Sequence, residues 1–250
     1  DDIRTLDWRV TLRTGKPHVR SYTEEKDHQI ILCIDLRNNM FFSSVDTMKS
    51  VVAAEIAAMC IWRTLTENDR VGALIFTDSE LLWFKPQRNQ QIAIKILRAI
   101  AKQTENLAAK ESVYSRNEEP QSITDICKQI LKSSSKNSVY IMLSDFHDFD
   151  DTTLTIFKKL KAHNNVLPVV INDPLDSSLA SQQDLIISDG KWQLALADEG
   201  NALNERYEQE YILRYKLLKD LFKNQDFPVL NLTTDGKHIA QFRRFFGVSK

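Results

Sequence analysis

The most constraining feature of the sequence is a short apolar run that ends in a carboxylate, within the stretch Gln29–Met40 (QIILCIDLRNNM). Five apolar residues, Ile30 to Ile34, lead directly into Asp35, and a polar loop follows. An uninterrupted apolar run of this length is typical of a central strand that is buried on both faces. In open α/β sheets, ligands bind at the carboxyl edge of the strands. The sequence therefore predicts that this strand presents Asp35 at a binding edge.

Strands and helices alternate along most of the chain. After the strand at 29–35 we predict further strands at 71–76, 81–84, 138–143, 166–171 and 228–232, with helices near 44–67, 89–103, 122–133, 151–163, 201–224 and 237–246. The strand at 81–84 follows its predecessor through a tight connection, which predicts an antiparallel edge strand. The alternation predicts an α/β fold: a mostly parallel sheet with helices on both faces and right-handed crossovers.

Three regions depart from this alternation. Residues 1–16 carry helix signals and 18–25 are typical of a charged edge strand, so we predict an N-terminal unit over 1–28. The polar segment 104–120 is predicted as a loop. Residues 184–197 predict a β-hairpin around an Asp-Gly turn, within a small insertion near 174–200. The remainder, 29–250, is predicted to be one domain that carries this insertion.

Composition argues against several functional classes. The formal net charge is −1, so no overall field draws the chain to nucleic acid or to a membrane surface. The three cysteines, Cys33, Cys60 and Cys127, lack C-x-x-C spacing, which argues against a disulfide framework or a zinc site. No apolar run is long enough to span a bilayer, and the glycine-rich phosphate-binding motifs are absent. These features predict a cytoplasmic chain that does not bind nucleic acid.

Several of the predicted strands end in side chains that carry oxygen. They are Asp35, Thr77 with Asp78, Ser144 with Asp145, Asn172 with Asp173, and Thr233 with Thr234. Carboxylates and hydroxyls gathered at one edge could hold a hard divalent cation, whose preferred ligands are oxygens. The competing interpretation is structural, because Asp and Asn are favoured in turns. We favour the site interpretation for Asp35 with Asp145. For Asp78 and Asp173, each taken singly, we favour the turn interpretation.

Three stretches of the chain resemble a known family. They are DDIRTLDWRVTLRTGKPHVRSYTEE at the N-terminus, the strand with Asp35 and the following Met40, and NDRVGALIF at 68–76. All three resemble the bacterial domain-of-unknown-function family fifty-eight. The resemblance implies a von Willebrand factor A-like sheet, with the central strand first and one short antiparallel edge strand. It also implies a cytoplasmic adaptor that works with a MoxR-type AAA+ ATPase in the assembly or remodelling of other proteins.

The resemblance further implies a candidate metal site at the carboxyl edge. Folds of this type usually hold Mg²⁺ through a D-x-S-x-S motif after the first strand, a Thr from a later loop and an Asp after the fourth strand. Asp35 matches the first acid and Asp145 matches the last. Arg37 and Asn39 stand where the motif has its two serines. The Thr position has two candidates, which are Thr124 and Ser122.

Arg37 leaves two interpretations of this degenerate site open. In one, its side chain turns away and a weak Mg²⁺ site remains on Asp35, Asn39 and Asp145. In the other, the guanidinium pairs with Asp35 and Asp145 and replaces the charge of the metal, because an Arg fork suits neighbouring carboxylates. We favour the second interpretation, which predicts no cofactor or only weakly bound Mg²⁺.

No catalytic constellation stands out, so the sequence favours a protein-binding module. The predicted surface comprises 37–42, the loop 104–120 and 145–150. Its predicted partner-binding residues are Arg37, Asn38, Met40, Phe41 and Asp148, together with Trp8 in the N-terminal motif. We expect one or two of the apolar side chains at 40–42 to be buried. Trp8 is equally well interpreted as an internal clamp or as a partner anchor.

An alternative function is a metal-dependent hydrolase. It would use Asp35 and Asp145 as metal ligands and His147 as the acid–base group. A guanidinium at position 37 disfavours this function, because it has no lone pair to offer a metal. We therefore interpret His147 as a loop residue.

Overall fold

A six-stranded sheet forms the centre of the fold. The computed structural model describes residues 28–110, 121–133, 136–177, 186–188, 193–195, 209, 218–219, 222 and 227–246. The strands are β1 (Gln29–Asp35), β2 (Arg70–Phe76), β3 (Leu81–Gln87), β4 (Ser138–Ser144), β5 (Asn165–Asn172), β6 (Ile186–Ser188), β7 (Gln193–Ala195) and β8 (Leu230–Thr233). The order in the main sheet is β3-β2-β1-β4-β5-β8. Strands β6 and β7 pair with each other as the hairpin that the sequence predicts.

The main sheet is parallel except at one edge. Strand β1 pairs in parallel with β2 and β4, while β3 pairs antiparallel with β2. This confirms the predicted von Willebrand factor A-like α/β fold, with the first strand at the centre and one antiparallel edge strand. In the parallel register Asp35 lies opposite Phe76, and Ile34 lies opposite Leu143. The last residues of β1, β2 and β4 are therefore level, and the loops that follow them meet.

Helices cover both faces of the sheet. They are α1 (Lys49–Thr66), α2 (Gln90–Lys110), α3 (Ile123–Ser133), α4 (Asp151–Lys161), α5 (Pro174–Ser177) and α6 (His238–Phe245). Successive residues of a strand point to opposite faces. Leu32 and Ile34 accordingly join the core formed with α1, α2 and α6, whereas Ile31 and Cys33 join the core formed with α3 and α4. The continuous apolar run of β1 thus reflects burial on both sides.

Two predicted helix boundaries are wrong. The second helix continues to Lys110 instead of ending at 103, because Leu107 lies seven residues after Ile100 and both are buried in the same core. Helix α1 begins at Lys49 rather than near 44, because residues 41–48 form a loop tied to the sheet edge. The predicted helix and strand at 1–25, including Trp8, and most of the predicted helix 201–224 lie outside the described residues.

Candidate functional site

Asp35 ends the central strand and has no solvent exposure. Its two oxygens accept three hydrogen bonds from Arg37. The backbone N–H and Nε of Arg37 donate to Oδ1 at 3.0 and 3.1 Å, and Nη2 donates to Oδ2 at 2.8 Å. Ser144 Oγ, at the end of the adjacent strand β4, donates to Oδ2 at 2.6 Å. The buried carboxylate is therefore paired with a cation of its own chain.

The Arg37 guanidinium bridges two acids. On the side away from Asp35, Nη1 donates to Asp148 Oδ2 at 2.7 Å, and Nη2 donates to Asp148 Oδ1 at 3.0 Å. Nη1 also donates to the carbonyl oxygen of Gln121 at 3.1 Å. The guanidinium carbon lies 5.7 Å from the ring centroid of Phe76. Because Arg37 is only 2% exposed, its charge faces these carboxylates rather than solvent.

The second partner of Arg37 corrects the sequence-based prediction. The expected fork joined Asp35 and Asp145; the bond to Asp35 is present, but Asp148 takes the other side. Phe146 directly follows Asp145 and has a φ of 52°, in the left-handed region that a bulky residue rarely adopts. The turn at Phe146 therefore places Asp148, rather than Asp145, beside the Arg37 guanidinium.

Asp145 faces a second buried cation, Lys49. Lys49 Nζ lies 3.5 Å from Asp145 Oδ2 and 2.7 Å from Asp176 Oδ2, and its side chain is almost fully buried. The ammonium also lies 5.5 Å from the ring centroid of Phe42. Sequence reasoning missed Lys49. No signal in the sequence marked it, because the helix was predicted to begin near 44, whereas the structure makes Lys49 the first residue of α1.

Burial and pairing act in opposite directions on the acids of this site. Burial raises the pKa of Asp35, although Arg37 works to lower it. Burial also acts to raise the pKa of Asp148 and of Asp145, but in these two acids the hydrogen bonds and nearby cations outweigh it. Hydrogen bonds from Arg37 bring the pKa of Asp148 below its ordinary value. Hydrogen bonding by His147 does the same for the pKa of Asp145. Asp145 and Asp148 are thus stabilised as carboxylates.

The donor set at this edge does not suit a divalent cation. Both oxygens of Asp35 already face the Arg37 guanidinium. Asn39, which the first interpretation used for its carbonyl oxygen, instead donates its side-chain N–H to Asp145 Oδ1 at 2.8 Å. Within the described part of the chain, no group of three or more His, Cys, Asp or Glu residues is arranged to hold a metal ion.

The two hydroxyls considered for the Thr position serve helix ends. Ser122 Oγ donates to Asp125 Oδ2 at 2.9 Å, at the start of α3. Thr124 Oγ1 donates to Asp150 Oδ1 at 3.1 Å. Asp150 in turn caps α4, because its carboxylate accepts the backbone N–H of Thr153 at 2.7 Å. Both hydroxyls are therefore engaged with the residues that frame the site.

The predicted partner-binding residues differ in exposure. Asn38 is exposed, and its backbone N–H donates to Asp78 Oδ2 at 2.9 Å. Met40 is fully buried and Phe41 is half-buried, as expected for one or two of the apolar side chains at 40–42. Phe42 is 38% exposed. Among the apolar side chains at 40–42, the exposed one is thus Phe42, which the predicted set of partner-binding residues left out.

Asp173, interpreted from the sequence as a turn residue, is a buried anchor for the loop 41–48. Its carboxylate accepts from the Ser44 N–H at 2.9 Å, from Thr234 Oγ1 at 2.6 Å and from the Leu175 N–H at 2.9 Å. Ser44 Oγ also donates to it. The backbone N–H of Thr47 donates to the carbonyl oxygen of Thr234 at 3.1 Å. The loop is therefore tied to the ends of β5 and β8.

The comparison with known proteins establishes the family. Residues 1–213 match the family described as "Protein of unknown function DUF58". The chain belongs to the DUF58 family. This confirms the family resemblance seen in the sequence. Uncharacterised proteins of Mycobacterium tuberculosis and Mycobacterium bovis are 22% identical to the chain over 246 residues, which is 98% of this chain and 74% of each relative.

Solved structures are similar to this DUF58 chain, and one of them, BatB, shares its fold. BatB from Bacteroides thetaiotaomicron is 15% identical with a TM-score of 0.51, and the match covers 89% of this chain and 97% of BatB. The von Willebrand factor A domain of SpRpn10 is 10% identical with a TM-score of 0.45, over 87% of this chain and 94% of that domain. Among the described residues, no helix combines the length and the apolar character needed to cross a membrane.

Proposed function

We propose that this DUF58 chain is a non-catalytic protein-interaction module that binds partners at the carboxyl edge of its sheet, without a metal ion. The observation that carries the proposal is the buried Arg37 guanidinium between Asp35 and Asp148. A divalent cation on Asp35 would have to displace this guanidinium and leave it buried without its partner. Breaking a buried pair in this way costs about 3–5 kcal/mol. Lys49 neutralises Asp145 in the same manner.

Within this proposal the edge residues have different tasks. Asn38 and Phe42 are exposed and contact the partner. Met40 and Phe41 pack against the core beneath the segment 37–42. Arg37 fixes the start of this segment through its pairs with Asp35 and Asp148. Asp148 contributes to both tasks, because it pairs with the guanidinium and is 25% exposed. The face is therefore built by internal pairing and offered to a partner as a preformed surface.

The partner in this proposal is a MoxR-type AAA+ ATPase, and the setting is the cytoplasm. The ATPase link comes from the family resemblance, which implies an adaptor for the assembly or remodelling of other proteins. The free, buried thiols of Cys33, Cys60 and Cys127 suit a reducing compartment.

A binding assay tests the proposed face. The purified chain is titrated with the nucleotide-free MoxR-type ATPase of the same genome. The titration is done once with and once without a chelator of divalent ions. We expect binding that is insensitive to the chelator and weaker for Phe42→Ser. Trp62→Ser is the matched control, because Trp62 is similarly exposed but lies near the end of α1 remote from the site. Equal binding by both variants would argue against this face, and loss of binding with the chelator would argue against metal independence.

A calorimetric titration tests metal binding directly. Because Arg37 and Lys49 already neutralise the acids, we expect no Mg²⁺ or Mn²⁺ binding tighter than millimolar. The double variant Arg37→Ser/Asn39→Ser restores both serines of the D-x-S-x-S pattern and is the comparison in which tighter binding is expected. Micromolar binding by the unaltered chain would contradict the proposal.

A hydrolase that uses Asp35, Asp145 and His147 is less well supported. His147 is 39% exposed, and its Nδ1 lies 3.5 Å from a carboxylate oxygen of both Asp145 and Asp148. Asp35 is poorly placed to act as a metal ligand, because both of its oxygens accept hydrogen bonds from Arg37. We expect no phosphatase or esterase turnover that depends on a divalent ion.

A further inference from the structure

The carboxyl edge concentrates negative charge. The loops that leave β1, β2, β4, β5 and β8 there (36–48, 77–80, 145–150, 173 and 234–237) carry eight carboxylates and two cationic side chains. The carboxylates are those of Asp46, Asp78, Glu80, Asp145, Asp148, Asp150, Asp173 and Asp235, and the cations are Arg37 and Lys237. Lys49 adds one more cation at the start of α1. Because the whole chain has a formal net charge of only −1, this edge is far more acidic than the rest of the chain.

The buried cations do not neutralise the outer acids. Arg37 and Lys49 are 2% and 4% exposed and are committed to the inner carboxylates described above. The outer acids Asp46 and Asp150 are exposed. Asp150 accepts its hydrogen bonds from neutral groups. A bound divalent ion would place positive charge at the surface of this edge. Arg37 and Lys49 are instead buried beneath the carboxylates, so the exposed surface of the edge is negative.

Two exposed apolar side chains lie within this acidic surface. Phe42 and Val45 are 38% and 49% exposed, although both belong to a loop that is tied to the sheet. The Phe42 ring lies over the Lys49 ammonium, which reaches the acids of the β4 and β5 loops. Val45 stands between Ser44, which is bound to Asp173, and the exposed Asp46. The two side chains are thus held in solvent by a loop with internal anchors, as expected of a preformed contact surface.

We propose that this surface, defined by Phe42, Val45 and the surrounding carboxylates, docks a cationic segment of a partner protein in which Lys or Arg residues flank an apolar side chain. The inference deepens the proposed function and rests on it, because it names the chemistry of the partner. The apolar side chain would pack on Phe42 and Val45. The flanking cations would face Asp46 and Asp78, an arrangement in which charge complementarity sets orientation and association rate. Asp235 is not included, because the exposed Lys237 already pairs with it at 3.4 Å between Nζ and Oδ2.

Two synthetic peptides test this inference. One alternates Lys with Leu, and the other has the same length with Glu in place of Lys; both carry a fluorophore for anisotropy measurements. We expect the Lys peptide to bind more tightly than the Glu peptide and to weaken as salt is added. We expect the double variant Asp46→Asn/Asp78→Asn to bind the Lys peptide about tenfold more weakly. The variant Phe42→Ser/Val45→Ser should weaken binding to a similar extent, at any salt concentration.

Matched controls separate the face from general attraction. Glu67→Gln/Asp69→Asn removes charges from the turn between α1 and β2, at the opposite edge of the sheet, and Trp62→Ser removes an apolar side chain far from the loop. Both should bind the Lys peptide as the unaltered chain does. If the chain preferred the Glu peptide and Phe42→Ser/Val45→Ser abolished that binding, the inference of a cationic partner would be wrong. The proposed binding face would still stand. Binding that no edge variant changes would overturn both.

Discussion

Arg37 uses every donor of its guanidinium. Nε and Nη2 donate to Asp35, Nη1 and Nη2 donate to Asp148, and Nη1 also donates to Gln121. An arginine offers five N–H groups in a planar fork, whereas a lysine offers three on a single nitrogen. The site therefore calls for arginine in particular, because a flat, forked cation can donate along one edge to Asp35 and along another edge to Asp148.

Replacing Arg37 should destabilise the fold strongly. Arg37→Met leaves Asp35 buried without its partner, and we expect a loss of about 3–5 kcal/mol in the free energy of unfolding. Arg37→Lys should cost less than Arg37→Met but remain clearly destabilising, since it keeps the charge and loses the fork. Urea unfolding followed by circular dichroism measures both. A combined Asp35→Asn/Arg37→Met variant should recover part of the loss, because the unpaired charge is removed.

A surface arginine provides the control for this comparison. Arg63 pairs with Glu67 at 2.8 Å, but the two side chains are 71% and 54% exposed. Exposed pairs of this kind contribute about 0.2–1 kcal/mol, so Arg63→Met should change the stability little. If Arg37→Met were as mild as Arg63→Met, the pairing of Arg37 with Asp35 would not be a buried structural pair.

The loop 41–48 shows how tertiary contacts override a local helix pattern. Its residues precede a strong helical sequence, and the helix was predicted to begin near 44. Asp173 binds the backbone and side chain of Ser44, and Thr234 accepts the N–H of Thr47. These bonds connect residues more than a hundred positions apart in the chain, so the delayed start of α1 at Lys49 could not be derived from local sequence.

Replacing Asp173 should loosen this loop. The carboxylate accepts four hydrogen bonds, two of them from Ser44, and Asp173→Asn converts one of its acceptor oxygens into a donor. We expect a loss of about 1–3 kcal/mol in the free energy of unfolding, together with faster hydrogen exchange at the Ser44 and Thr47 amides. Asp78→Asn is the matched control, because Asp78 accepts the N–H of an exposed residue, Asn38. Similar exchange in the two variants would mean that Asp173 does not anchor the loop.

Much of the fold follows from sequence pattern, whereas the pairing at the site does not. The apolar run before Asp35 and the alternation of strands and helices were sufficient to place β1 at the centre and acids at one edge. The choice of Asp148 over Asp145 depends on a left-handed turn at Phe146, and no sequence signal marks a phenylalanine for that backbone region. Lys49 belongs to the site only because helix α1 begins where β4 and β5 end.

The left-handed turn at Phe146 is held by a cluster of rings from several parts of the chain. The Phe146 ring lies 5.9 Å from those of Phe149 and Phe222 and 6.3 Å from that of Phe157, all measured between centroids. Phe146 is fully buried. Packing of this quality offsets the cost of about 1–2 kcal/mol for a left-handed residue with a side chain. The placement of Asp148 beside Arg37 is therefore a property of the core as well as of the loop.

At the scale of the whole molecule, the acidic edge couples stability to pH. Although burial acts against it, hydrogen bonding lowers the pKa of Asp145, Asp148 and Asp173 in the folded state. Acids with a lowered pKa stabilise the fold fully above their unfolded pKa, near 4, and that stabilisation is lost as the pH falls through the folded pKa. Asp35 acts in the opposite direction, because its pKa is raised by burial. The three acids with lowered pKa values outnumber Asp35, so we expect their effect on stability to dominate.

We therefore expect the free energy of unfolding to be level near neutral pH and to fall below about pH 4. Urea titrations at a series of pH values between neutrality and strong acid measure this dependence. Asp173→Asn should flatten the acid limb, because one carboxylate that resists protonation in the folded state is gone. Thr234→Val removes one donor to Asp173 and should flatten the limb less, since the pKa of Asp173 would move only part of the way back to its ordinary value. A stability that does not change as the pH falls, or an acid limb as steep in Asp173→Asn as in the unaltered chain, would show that these internal hydrogen bonds do not control acid unfolding.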